Sequence, residues 1–125
     1  MIKFDEQKQF DSVQNALALR GQIEQTVDAV CSAGFRNLYF LGIGGTWASA
    51  LQAEVHMRER SALWVNALLA SEYNTTGNRC VGSGSVVIFS SVTGTTVEVV
   101  EAVRRAKEAG AVILGFVDTP DTPLY

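Results

Sequence analysis

The chain has 125 residues, 47% of them apolar and 18% charged, with a formal net charge of −3. That length and composition predict one domain that buries roughly two-thirds of its unfolded surface, and they exclude a disordered chain. No apolar run approaches the ~20 residues of a membrane span, and Lys and Arg form no stripe suited to nucleic acid, so neither partner is expected.

The opening MIKFDEQKQF is polar, mixed in charge and without the apolar core of a secretory signal, which leads us to expect a cytoplasmic protein. From Asp5 to about Ala33 the apolar residues Phe10, Val13, Leu17, Ile23, Val27 and Val30 recur at helical spacing. Gly21 marks a bend or a break between two shorter helices. SAGFRN then supplies a turn, with Gly34 as the helix stop. NLYFLGI (37–43) reads as a buried strand, 46–59 as a helix and ALWVNALL (62–69) as a second strand. SVVIFSS (85–91) is the third strand. An amphipathic helix follows over 95–110, turning Val99, Val100, Val103 and Ala106 inward and ending at Gly110. AVILGFV (111–117) is the fourth strand, and DTPDTPLY closes as a loop.

Alternating strands and helices, with strands of nearly unbroken apolar character, predict an α/β fold with a parallel sheet covered on both faces. Right-handed crossovers favour a flavodoxin-like, three-layer αβα arrangement with strand order 2-1-3-4. We expect one domain over 1–125: a leading helical segment to about residue 33, and an α/β core over 37–117.

Several residues receive no chemical role. Cys31 and Cys80 match no metal or redox spacing and read as free, partly buried thiols. VRRAK (103–107) and MRER (57–60) read as solvated helix faces. His56, mid-helix and the only histidine, reads as a surface or interface residue. No metal cluster and no cofactor motif is visible.

Two stretches carry the chemistry. FLGIGGTWAS (40–49) and FSSVTGTTVE (89–98) each sit where a strand ends and a helix begins. In a 2-1-3-4 sheet, strands 1 and 3 are neighbours whose following helices leave to opposite faces. Their loops therefore bracket the switch-point crevice in which open α/β sheets bind ligands. Gly42, Gly44 and Gly45 let the backbone come close, and first-turn N–H groups lack internal partners. Ser91, Thr93, Thr95 and Thr96, with Thr46 and Ser49 opposite, add neutral hydroxyls. A phosphate held by amides and hydroxyls is the natural ligand. The P-loop pattern needs a lysine that neither loop has, and the dinucleotide fingerprint needs a glycine where Trp47 stands. A purely structural reading exists for the second loop: Thr95 and Glu98 have capping-box spacing, and Gly94 suits a tight turn.

These residues resemble a known family. GIGGTW is similar to the first phosphate loop of the sugar isomerase (SIS) domain, and SVTGTTVE (91–98) to its second, Ser-x-Ser-Gly-x-Thr-x-Glu/Asp. ASEY (70–73) is similar to the Ser-Glu-aromatic element of double-domain members. The resemblance covers nearly the whole chain. It implies a phosphosugar site made of Gly44, Gly45, Thr46, Ser91, Val92, Thr93, Gly94 and Thr96, with two Ser-to-Thr changes that keep the hydroxyl and add a methyl. It also implies a ligand such as fructose 6-phosphate or glucosamine 6-phosphate. Its nearest group is the glucosamine-6-phosphate synthase isomerase half and the fructosamine deglycases.

Members of the family continue through a fifth strand and a closing helix, so we expect a fragment or a unit completed by association. An unpaired edge on strand 4 favours a homodimer or higher homo-oligomer. Isomerisation or deglycation needs a proton-transferring base. Glu72 after strand 2 is the candidate for that role, and Glu98, in a first helical turn, is an orienting carboxylate. Three functions stand side by side: the N-terminal SIS unit of a sugar-phosphate isomerase, aminotransferase or deglycase; a noncatalytic phosphosugar sensor; and a generic flavodoxin-like domain binding flavin or nucleotide.

Overall fold

The computed structural model describes residues 4–125 and divides into two compact units, one ending at Gly34 and one spanning Phe35–Tyr125. The first unit holds α1 (Glu6–Ala18) and α2 (Arg20–Ala33). Asp5 caps α1, its carboxylate accepting the Lys8 N–H at 3.0 Å. The expected break between two helices is present, but at Leu19 and not at Gly21. The Leu19 N–H reaches back to the Ala16 carbonyl, a 3₁₀-type closure that tightens the last turn of α1. Neither helix buries a residue; Phe10, Val13, Leu17 and Val27 are all exposed. Gly34 ends α2 as predicted.

The second unit runs β1 (Asn37–Gly42), α3 (Gly45–Arg60), β2 (Trp64–Leu69), α4 (Ala70–Thr76), β3 (Ser85–Ser91), α5 (Val97–Glu108) and β4 (Val112–Val117). The four strands form a parallel sheet in the expected order β2-β1-β3-β4. Helix α3 packs on β1 and β2; α4 and α5 pack on each other, α5 over β3 and β4. The fold is a three-layer α/β sandwich of flavodoxin-like order. Strand alternation explains the unbroken apolar runs: successive side chains face opposite layers, and both layers are helical. Tyr39, Leu41, Val87 and Phe89 join Tyr73, Val99, Ala102 and Ala106 in the larger core cluster. Leu38 and Val86 point the other way and are equally buried.

Coverage is incomplete on β4, whose Val112 and Phe116 are about half exposed. The inward row of α5 also differs from expectation. Val99 and Ala106 are buried as expected and Val103 packs partly buried against the core, but Ala102 joins the buried row and Val100 is only half-buried.

Three features escape the sequence reading. Helix α4 continues directly from β2 and is too short for its periodicity to register. Arg105, within the supposedly solvated VRRAK run, is half-buried. Its guanidinium donates to the carbonyls of Tyr73 (3.1 Å) and Asn74 (2.6 Å) and lies over the Tyr73 ring. Glu54 is buried in α3, accepting the Ala67 N–H at 2.6 Å and pairing with Arg58 at 2.6 Å. It thereby occupies an amide on the open edge of β2. Both cysteines are free and exposed, not partly buried, because they sit near the end of a two-helix unit and in the loop before β3.

Tyr39 is fully buried, and its hydroxyl finds no hydrogen-bond partner among the described residues. Burial, with smaller contributions from Cys80 and Tyr73, pushes its ionisation from near 10 up to about 12. A raised folded-state value means that stability is intact below the unfolded value and declines as pH rises through the folded one. Tyr39 therefore contributes to alkaline unfolding between pH 10 and about 12. Tyr39→Phe is expected to flatten that decline and, by removing an unpaired hydroxyl, to leave stability at neutral pH equal or up to about 1 kcal/mol higher. Urea denaturation at pH 7 and across the alkaline range measures both.

Candidate functional site

β1 and β3 are hydrogen-bonded neighbours, paired from Asn37↔Ser85 to Leu41↔Phe89. Their carboxyl ends therefore lie side by side, and so do the loops that leave them. α3 and α5 depart from these loops to opposite faces, the arrangement that makes a switch point in an open α/β sheet.

The three glycines of the first loop are there for different reasons. Gly42 lies directly beneath the first turn of α3: a β-carbon there would stand 2.5 Å from Thr46 C and Trp47 N. Gly44 is the N-cap of α3 at φ 56°, in the left-handed region that favours glycine. Gly45 has open space around it and no unusual dihedral, so neither packing nor conformation demands glycine there. Thr46 is turned back onto its own loop, donating to the Ile43 carbonyl (2.9 Å) and accepting the Ile43 N–H (3.0 Å). Its hydroxyl braces the loop, and the bare backbone around Gly44 and Gly45 is what faces outward, both residues being exposed.

In the second loop, buried Ser91 accepts the Gly94 N–H on its hydroxyl at 3.0 Å. A hydroxyl used as an acceptor still has its own proton to donate. Val92 and Thr93 are exposed beside it, and Thr93 Oγ1 takes the Thr95 N–H in a long 3.4 Å contact. Gly94 is buried at φ 65°. The expected capping box between Thr95 and Glu98 does not form. Helix α5 starts two residues later than predicted, with Thr96 as its N-cap and no side-chain bond to the first turn. The chain is still turning at Thr95, whose N–H is drawn to Thr93, so the box spacing falls out of register. Gly44 likewise offers α3 no side-chain cap. Two helix amino termini thus start from neighbouring strand ends, and among the described residues no side chain caps the first-turn N–H groups of either.

Neither acidic candidate is buried. Glu72 is exposed in the first turn of α4, beyond the end of β2. Glu98 is exposed in the first turn of α5, and its carbonyl accepts from the Asn74 side chain at 2.9 Å. His56 is exposed on α3. Among the described residues no group of three His, Cys, Asp or Glu is placed to hold a metal. No described helix is long and apolar enough to cross a membrane. A groove of about 180 Å³ on the α3 side is walled by Phe40, Ile88 and Phe116, with Thr46, Ser49 and Ser90 also lining it; its mainly apolar surface does not suit an anion.

Comparison with known proteins agrees with this fold. The family model described as SIS domain matches residues 33–125. No curated protein matches the sequence significantly. A candidate phosphosugar isomerase from Salmonella typhimurium is 31% identical, with a TM-score of 0.65 over 73% of this chain and 28% of its own. Tagatose-6-phosphate ketose/aldose isomerase from Escherichia coli, at 16% identity, has a TM-score of 0.77 over 92% of this chain and 32% of its own. The C-terminal domain of glucosamine-fructose-6-phosphate aminotransferase from Francisella tularensis, at 20% identity, gives 0.64 over 72% and 25%. The chain therefore spans about a quarter to a third of the length of these structures.

Proposed function

We propose, from the premise that this chain belongs to the SIS domain family, that it binds a phosphorylated sugar or amino sugar between its two glycine-bearing loops. The observation that carries the reading is the pair of helix amino termini without side-chain caps, at Gly44 and Thr96, on the ends of adjacent strands. Main-chain amides of both loops would hold the phosphate, with the hydroxyls of Ser91, Thr93 and Thr96 completing its shell. Thr46 supports this indirectly, keeping the first loop rigid while Gly45 leaves room for close approach. Val92 and Gly94 shape the second loop.

The site is that of an aldose–ketose isomerase, aminotransferase or deglycase unit, with fructose 6-phosphate or glucosamine 6-phosphate as ligand. Glu72 is the proposed base and Glu98 an orienting carboxylate. Both are exposed, so a base there works only once a ligand or another chain excludes water from it. The edge strand β4, with half-exposed Val112 and Phe116, supports a homodimer or higher homo-oligomer, and we place its work in the cytoplasm. A noncatalytic sensor is the second reading, favoured because no carboxylate or histidine among the described residues is buried at the loops. Titration calorimetry with fructose 6-phosphate and glucosamine 6-phosphate is expected to give saturable binding to one site per chain. Binding without interconversion of the sugar phosphate supports the sensor; no binding to either sugar overturns both readings.

A further inference from the structure

The segment after β4 has the composition of a plain loop, yet it is stitched to the second glycine loop along its length. The Asp118 N–H donates to the Ser91 carbonyl at 3.3 Å, and the Thr119 N–H to the Val92 carbonyl at 3.2 Å. The Thr119 hydroxyl donates to the same Val92 carbonyl at 2.8 Å. The Leu124 N–H donates to the Gly94 carbonyl at 3.3 Å. Thr122 is held by its hydroxyl bond to the Thr119 carbonyl (3.1 Å), and its side chain fills the space that a β-carbon on Gly94 would need. Leu124 packs against the main core cluster, which anchors the far end.

These bonds have a directional consequence. In a trans peptide the C=O and the N–H of one planar unit point in opposite directions, and no peptide among the described residues is cis. The carbonyls of Ser91 and Val92 are drawn towards the β4 side. The N–H groups of Val92 and Thr93, which belong to the same two peptide units, therefore point the other way. β3 lies between β4 and β1, so the other way is towards the end of β1 and the first loop. A loop left to itself is able to flip a peptide and present a carbonyl oxygen to the crevice, which repels an anion. Successive N–H groups on one side form a concavity that attracts one.

We infer that residues 118–124 act as a positioning strap for the anion loop, holding its carbonyls on the β4 side so that its amides face the ligand, with Thr119 as the residue that sets the orientation. The inference rests on the phosphosugar reading of the site and adds a third segment to it. Thr119 acts through Val92 and need not touch the ligand.

The test compares the unmodified chain with Thr119→Val and Thr119→Ser, using calorimetry with fructose 6-phosphate. It also follows the Thr93 amide by ¹⁵N-resolved NMR as inorganic phosphate is added. Thr119→Val keeps the shape and the backbone bond but loses the hydroxyl donor; we expect affinity to fall roughly three- to tenfold. The phosphate-induced shift of the Thr93 amide should shrink with it while the melting temperature changes little. Thr119→Ser restores the donor and should return affinity to within about twofold of the unmodified chain. Equal affinity in the unmodified chain and in Thr119→Val, or a loss that Thr119→Ser shares, overturns the strap and leaves the phosphosugar reading standing. No binding by the unmodified chain overturns that reading, and the strap with it.

Discussion

Gly42→Ala is expected to lower stability by about 3 kcal/mol or more, and the melting temperature by roughly 10–20 °C. The added methyl would meet Thr46 C and Trp47 N at 2.5 Å and Thr46 O at 2.8 Å. All three are main-chain atoms of the first turn of α3, so no rotamer change relieves the clash. Either the helix lifts from the end of β1 or the strand retreats. Both movements disturb the packing of α3 on β1 and β2 and pull the first loop out of line with the second. A loss of that size is a large share of the ~5–15 kcal/mol that typically separates folded from unfolded domains. Gly45→Ala is the informative control. Its β-carbon meets nothing within 4 Å, and Gly45 is the first residue of α3. Stability should therefore hold or rise by about 0.4–1 kcal/mol. If glycine is needed at 45 for close approach of a ligand, Gly45→Ala should weaken fructose 6-phosphate binding without loss of fold. Equal melting temperatures for the Gly42 variant and the unmodified chain would refute the packing argument.

Ser91→Ala has the second large effect, and it acts on both stability and binding. The Ser91 hydroxyl is buried and accepts the N–H of buried Gly94 at 3.0 Å. Its removal leaves that donor unpaired at a cost of about 1–3 kcal/mol. It also removes a donor to the ligand. A hydrogen bond to a charged group is worth about 1.5–3 kcal/mol, so binding should weaken by roughly ten- to a hundredfold. Thr93→Ala separates the two effects. Thr93 is exposed, and its only described bond is the 3.4 Å contact from Thr95. That variant should melt within a few degrees of the unmodified chain yet bind fructose 6-phosphate less tightly. Unchanged affinity in both variants would remove the second loop from the site.

Both experiments target positions that were visible in the sequence, because the signals involved are local. An apolar run that ends in glycines and hydroxyls and gives way to helical spacing says strand, turn and helix without reference to the rest of the chain. Two such units, with their strands placed by the crossover rule, were enough to bring Gly44 and Thr93 to neighbouring strand ends. The stops at Gly34 and Gly110 are equally local, since each rests on one residue's conformational freedom.

What the sequence could not supply were the partners of particular atoms. Thr95 and Glu98 have the spacing of a capping box, but helix α5 begins only at Val97 because the turn around Gly94 is completed first. Thr46 carries the hydroxyl expected at its position, yet Ile43 engages both its donor and its acceptor. Glu54 looks like any surface carboxylate of an exposed helix until β2 brings the Ala67 N–H against it. The segment 118–124 has the composition of an ordinary loop, and its bonds to Ser91, Val92 and Gly94 join residues some thirty positions away. The order of strands and the site of the turns follow from periodicity and backbone preference, which are written residue by residue. Which hydroxyl is occupied, which glycine has no alternative and which way a peptide plane points depend on atoms that only the folded chain brings within 3 Å of one another.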